Sequence, residues 1–238
     1  MDKKNIKKVV TLSALFFLPV IFLLFLYPST NNYNPLEVVK TEVLDIQNLS
    51  SANTEAQFKD YITVLGFLGK DPEARVVEMS NLKELIYDKF QGFKKFQVVT
   101  LVSEEAKEAA GRLKQELTKY GELKYWKFVY LNDSDIKKMF NSLRSSDVLD
   151  FNLSTNKVFI IDKALDQRGR LDNRTKKEIE NKREAYPLTA YNAAEVAQLK
   201  NVMGADDLRV LFTEYRQKRK GEFNSTSRRA DDLKGDLN

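Results

Sequence analysis

The 238-residue chain contains no cysteine and no histidine. That double absence removes thiol nucleophiles, disulfides, imidazole bases and the nitrogen and sulfur ligands of soft metal sites. A cysteine-free fold tolerates oxidising and reducing surroundings alike, so cysteine usage says nothing of the compartment. Charge of one sign is also missing where it would count. The formal net charge is +5, yet Met1–Lys8 and Arg216–Asn238 each carry +3, leaving −1 for everything between them. A nucleic-acid binder carries its excess on the folded body, so that class of partner is excluded. The length suits one anchor and one domain large enough to bury its own core.

One long hydrophobic run is present. Val9 to Tyr27 is nineteen residues without a charge, about 29 Å as a helix against a hydrocarbon layer of ~30 Å. Lys3, Lys4, Lys7 and Lys8 precede it, which predicts a single transmembrane helix with Met1 on the cytoplasmic side. The competing reading is a cleaved signal peptide, but the run exceeds the ~7–15 apolar residues of such leaders and lacks a small-x-small cleavage site. Lipid anchoring through cysteine is excluded. The expected organisation is a basic cytoplasmic end (1–8), the anchor (9–27), a linker (28–35), a domain (36–215) and a disordered charged tail (216–238). An Arg-rich, acid-poor leader is missing, so a bacterial inner membrane with the domain facing the periplasm is the expected location.

The domain follows an α/β pattern. Val38–Ile46 alternates weakly, as at a sheet edge, whereas Tyr61–Leu68 and Phe96–Val102 are nearly all apolar and suit strands covered on both faces. A helix is expected from Ser80 as N-cap to a stop at Gly92, and another from about Glu104 to Tyr120. Trp126–Leu131 and Val158–Ile161 predict further strands, Asp133–Leu143 a short helix, Tyr186–Tyr191 a last strand and Glu195–Tyr215 a helix broken near Gly204. The charge-dense segment 163–184 interleaves acids and bases, as a solvated insertion does. The predicted fold class is α/β, a central sheet flanked by helices.

On such a sheet, chemistry belongs beyond the carboxyl end of the central strand, which here is Gly69–Arg75. Lys70, Asp71, Glu73 and Arg75 form a local charge cluster there, a candidate interaction loop or, if buried, an acid–base site. Gly66-Phe-Leu-Gly69-Lys70-Asp71 lacks the Ser or Thr that a phosphate-binding loop needs after its Lys. Five glycosylation-type triplets, at Asn48, Asn132, Asn152, Asn173 and Asn224, have meaning only on a eukaryotic secretory route.

Several phrases resemble the Sco/SenC family of membrane-anchored, thioredoxin-like proteins involved in copper delivery to respiratory oxidases. Ile62-Thr-Val-Leu-Gly-Phe-Leu-Gly69 is similar to the strand before that family's CxxxC loop, and Phe96-Gln-Val-Val-Thr-Leu-Val-Ser-Glu-Glu105 to the strand and helix start after it. Trp126-Lys-Phe128 and Val158-Phe-Ile-Ile-Asp162 are similar to later strands, the second following the copper-binding His. The resemblance spans about Pro35 to Tyr215 and implies a thioredoxin-like domain. Lys70 and Ala74 stand where it places the two cysteines, and Leu153 or Ser154 where it places the histidine. A Cys2His copper site needs thiolates and an imidazole. Met79, Met139 and Met203 are no substitute, two of them lying on core stripes. The expectation is therefore a protein with no metal, no cofactor and no catalytic residue, acting through a protein partner such as a respiratory oxidase or its assembly machinery. Two alternatives are an enzyme of cysteine-independent chemistry at Lys70–Arg75 and a permanent accessory subunit of a membrane complex.

Overall fold

The computed structural model describes residues 3–26, 35–51, 56–119 and 121–221. The chain divides into two units, residues 1–34 and 35–238. The first is a 24-residue helix, α1 (Lys3–Leu26), which continues through Pro19. Among the described residues, no helix is long and apolar enough to cross a membrane. The expected spanning helix over 9–27 is thus not shown, and the linker expected at 28–35 lies almost wholly outside the described residues.

The second unit is a mixed sheet of seven strands with helices on both faces. Its strands are β1 (Glu37–Lys40), β2 (Ile62–Gly69), β3 (Phe96–Ser103), β4 (Trp126–Leu131), β5 (Lys157–Ile161), β6 (Gln167–Gly169) and β7 (Tyr191–Asn192). Their order is β1-β6-β5-β2-β3-β4, with β7 paired to β5. β2, β3 and β4 run parallel, while β5 is antiparallel to β2 and β6 antiparallel to β5. Every residue of β2 and β3 is buried. The pleat divides them between two cores: Ile62, Val64, Leu68, Val98 and Val102 face one, and Leu65, Phe67, Val99 and Leu101 face the other. Two-sided burial is what an unbroken apolar run demands, because neither face can be left to water.

Between β2 and β3 the chain coils through α2 (Val76–Leu82), a wide π-type turn (Lys83–Tyr87) and α3 (Asp88–Phe90). Ser80 lies inside this helix and does not cap it. The start is set earlier by Pro72, whose fixed φ initiates a 3-10 turn at Glu73–Arg75, and by the Asp71 carboxylate accepting from the Ala74 N–H at 3.3 Å. A 3-10 turn (Glu104–Ala106) leads into α4 (Lys107–Thr118), which packs Ala110, Leu113 and Leu117 onto the same core. The opposite core is covered by α5 (Asp133–Asn141), capped by the Asn132 side chain accepting from the Asp135 N–H. Met79, Met139 and Met203 are all fully buried in these cores.

Three expectations need correction. β1 ends at Lys40, not near Ile46, because Glu42 adopts φ +56° and the Asp45 carboxylate accepts from the Phe58 and Lys59 N–H groups, drawing the chain into a turn. The C-terminal helix passes Gly204 through π-type turns (Gln198–Leu208) and runs on as α7 (Arg209–Lys220). Gly221, at φ +73°, closes it beyond the expected end at Tyr215. The tail from 222 onward lies outside the described residues.

The third correction concerns 163–184, which is no simple solvated insertion. It contains β6, a short capped helix α6 (Lys176–Glu180) and the most buried ion-pair network of the unit. Arg168, 6% exposed, donates to Asp162 at 2.6 Å and to Glu214 of α7 at 2.9 Å. Interleaved charge can pair inward as readily as outward, and a periodicity argument does not separate the two. Arg168→Ala would leave buried Asp162 without its counterion and buried Glu214 with Lys218 alone, at a cost of about 3–5 kcal/mol. Denaturant unfolding should show it, and a loss under about 1 kcal/mol would mean that the pair is solvated.

Candidate functional site

β2, β3 and β4 end side by side at Gly69, Ser103 and Leu131, and the loop before antiparallel β5 returns to the same end. Four loops thus form one crown. Gly69 is what lets two of them meet. It sits at φ +56°, and a Cβ there would run into the backbone of Asn152 and Leu153. Freed of a side chain, the strand end passes so close that the Lys70 N–H donates to Asn152 O at 2.8 Å.

The four positions singled out by the resemblance are distributed as follows. Lys70 reaches sideways, its Nζ lying 2.7 Å from Asp133 and 2.9 Å from Glu105. Its hydrogen bond to Asp133, seconded by that to Glu105, raises its pKa and favours the protonated amine. Asp133 is held below the usual carboxylate range by the Lys70 hydrogen bond, which outweighs partial burial, with help from the Ser103 hydroxyl. Ala74 is exposed. Leu153 is buried in the core beneath the crown, at a left-handed φ of +59°. Ser154 is buried too and faces Arg75, not Lys70 or Ala74.

Arg75 is therefore the group at the centre. Its Nε and Nη2 donate to Ser154 Oγ at 3.1 and 3.0 Å, Nη2 also to Asp150 at 2.8 Å, and Nη1 to Glu78 at 3.2 Å. Asp150 in turn accepts from both the Ser154 N–H and its hydroxyl at 2.8 Å. Partial burial pushes the Asp150 carboxyl up, but the Ser154 N–H, the Ser154 hydroxyl and Arg75 together hold it below its ordinary value. Asp150, Glu78 and Asp133 were not singled out from sequence. The only local signal was the turn-rich phrase Asp150-Phe-Asn-Leu-Ser154, whose end residues latch each other.

Of the remaining loop residues, Asp71 serves the turn and Glu73 forms a bidentate pair with Arg112 at 2.8 and 2.9 Å. That pair borders an open groove of about 300 Å³ lined by Val76, Leu113 and Glu116 as well. Arg112 depresses Glu73, the opposite of what a general acid requires. The Ser154 hydroxyl donates to the Asp150 carboxylate, whose lowered pKa makes it a weak base. Among the described residues, no group of three Asp or Glu side chains is arranged to hold a metal ion. Nor does the donor set at Lys70, Ala74, Leu153 and Ser154, an ammonium, two hydrocarbons and a hydroxyl, suit a soft metal.

The latch has a pH signature. Because the Asp150 pKa is lower folded than unfolded, its stabilisation is present above an unfolded value near ~3.9 and is lost as pH falls through the folded value. Below about pH 4 the melting temperature of the wild type should fall more steeply than that of Asp150→Asn; parallel acid limbs would remove Asp150 from the latch.

No protein-family model and no curated protein matches the sequence. Among solved structures, the chain is similar to the apo Sco1 protein from Thermus thermophilus, at 12% identity and a TM-score of 0.44, covering 77% of this chain and 99% of that one. It is also similar to the soluble domain of Sco1 from Bacillus subtilis, at 12% identity and a TM-score of 0.38, covering 72% and 92%. A third is the thioredoxin domain of a thiol-disulfide oxidoreductase from Bacteroides vulgatus, at 15% identity and a TM-score of 0.35, covering 63% and 96%. These likenesses are loose, and what the chain does has to be argued from its own residues.

Proposed function

We propose that this chain is a non-catalytic, thioredoxin-like domain of the Sco/SenC type, tethered to the bacterial inner membrane and facing the periplasm. It acts by protein contact, in the assembly or support of a respiratory oxidase. The strand order supports the fold reading: a parallel β2–helix–β3 unit, then antiparallel β5 and β6, then a C-terminal helix. The tether rests on the uncharged run Val9–Tyr27 behind four lysines.

The observation that carries the functional reading is the Arg75 latch. The crevice where reacting groups belong is occupied by a guanidinium, four of whose five N–H donors are engaged by Ser154, Asp150 and Glu78. Among its charges the crown also presents exposed apolar side chains: Phe151 is 89% exposed at the tip of the latched turn, with Val148 at 81% and Val77 at 62%. An exposed aromatic held on a pre-formed turn loses little entropy on docking, the usual character of an interface anchor.

Full-length protein extracted in mild detergent should co-purify with its partner, and Phe151→Ser should abolish this without lowering the melting temperature. If Lys70→Ala removes the cellular phenotype while Phe151→Ser leaves it intact, the enzymatic alternative replaces this reading. Titration with Cu(I) or Cu(II) should give no stoichiometric tight binding, and a tight one-to-one complex would overturn the proposal.

A further inference from the structure

At the opposite end of the sheet from the crown, four cations collect outside any salt bridge among the described residues. Lys95 Nζ lies 4.4 Å from the centroid of the Tyr61 ring, and Lys127 Nζ lies 5.5 Å from the same ring. Lys163 Nζ lies 5.0 Å from the Tyr215 ring, and the Lys163 carbonyl accepts from the Asp60 N–H, which joins the two tyrosine sites into one surface. Arg219 stands in the last turn of α7 beside them. Lys218 also approaches Tyr215, but it is bonded to Glu214.

Helix dipoles explain Arg219, since a cation is favoured in a last turn. They do not explain the other three. Lys95 precedes β3, Lys127 lies within β4 and Lys163 follows β5. None of these four residues forms a salt bridge among the described residues, and Asp60 is the one carboxylate acting on Lys163 in their favour. Partial burial first, then the charges of Arg219 and Lys95, lower the Lys163 pKa. Asp60 and Lys95 also both hold left-handed backbone conformations, φ +69° and +64°, that non-glycine residues seldom adopt. The ring faces pin Lys95 and Lys127 in place, so the repulsion is not relieved by swinging outward.

We propose that Lys95, Lys127, Lys163 and Arg219 form a binding site for a multiply charged phosphate-type oxyanion, carried by a soluble phosphorylated ligand or by a lipid headgroup. A single carboxylate would leave most of this charge unmatched, whereas a phosphate offers several acceptor oxygens to cations converging from different elements. Three lysines beside two tyrosine rings and one arginine are fewer cations than the extended stripe that a nucleic-acid backbone needs.

Amine-reactive labelling of the full-length protein, followed by peptide mass spectrometry, tests this without relying on a variant that must fold. One arm adds inorganic pyrophosphate to protein in neutral detergent, with ionic strength held constant by chloride. The other compares nanodiscs of phosphatidylcholine alone with nanodiscs containing phosphatidic acid, whose phosphomonoester headgroup can carry two charges. Labelling of Lys95 and Lys163 should slow at least about fivefold, while Lys176 and Lys177, exposed on α6, should be unaffected. Protection by pyrophosphate assigns a soluble phosphate ligand, and protection only by phosphatidic acid assigns a headgroup. Protection in neither arm, or equal protection of Lys176 and Lys177, overturns the site.

Discussion

The crown depends on one close approach, the passage of Gly69 against the backbone of Asn152 and Leu153. Any side chain at Gly69 would collide with backbone, which cannot swing aside, and would also occupy a left-handed φ that costs an L-residue about 1–2 kcal/mol. Because the approach is made, the Lys70 N–H finds its acceptor and the loop before β5 is seated on the end of the central strand. Because the loop is seated there, Leu153 can turn its side chain into the core and Ser154 can face Arg75. Each later contact presupposes the earlier one.

Holding two loops together at this place is a task that a disulfide or a bound metal can perform. Here it falls to hydrogen bonds around a guanidinium. The exchange is unequal in energy: a disulfide typically contributes ~2–4 kcal/mol, and a half-exposed ion pair about 1 kcal/mol or less. Arg75 and Asp150 are both partly open to water, so the latch fixes the shape of the turn more than it stabilises the fold. Stability comes instead from β2 and β3, buried along their whole length. A latch of this kind can keep its geometry at modest cost when the scaffold beneath it does not depend on it.

β2 and β3 were legible because burial on both faces leaves an unbroken apolar run, as at Ile62–Leu68 and Phe96–Val102, whereas the strand expected at Tyr186–Tyr191 shrinks to the two residues of β7, Tyr191–Asn192. The resemblance set Lys70 and Ala74 at the two cysteine positions and Leu153 or Ser154 at the histidine position. The identity of the partners was not legible. Spacing along the chain pointed to Lys70 and Ala74, but the 3-10 turn after Pro72 aims Arg75 at Ser154 and leaves Ala74 in solvent. Arg168 was missed for a related reason. Its carboxylates lie 6 residues before it and 46 after it, and only the fold of α7 onto the sheet brings the second one near. Sequence patterns report which residues share a face, while ion pairs are fixed by which faces meet.

Charge shows the same gap between a sum and an arrangement. The body of the chain is close to neutral, but the neutrality is made of two poles. At the crown, Lys70 is shared by Glu105 and Asp133, and Arg75 by Glu78 and Asp150, while Asp71 and Glu104 add charge with no basic partner in salt-bridge distance among the described residues. At the other end stand Lys95, Lys127, Lys163 and Arg219. Parallel strands with helices returning between them place helix amino termini at one end and carboxyl termini at the other, which favours acids above and bases below. That general preference accounts for the residues on helices. The lysines on strands and turns add to it, and a partner meeting either end of this domain meets a field of definite sign, although the chain as a whole has almost none to offer.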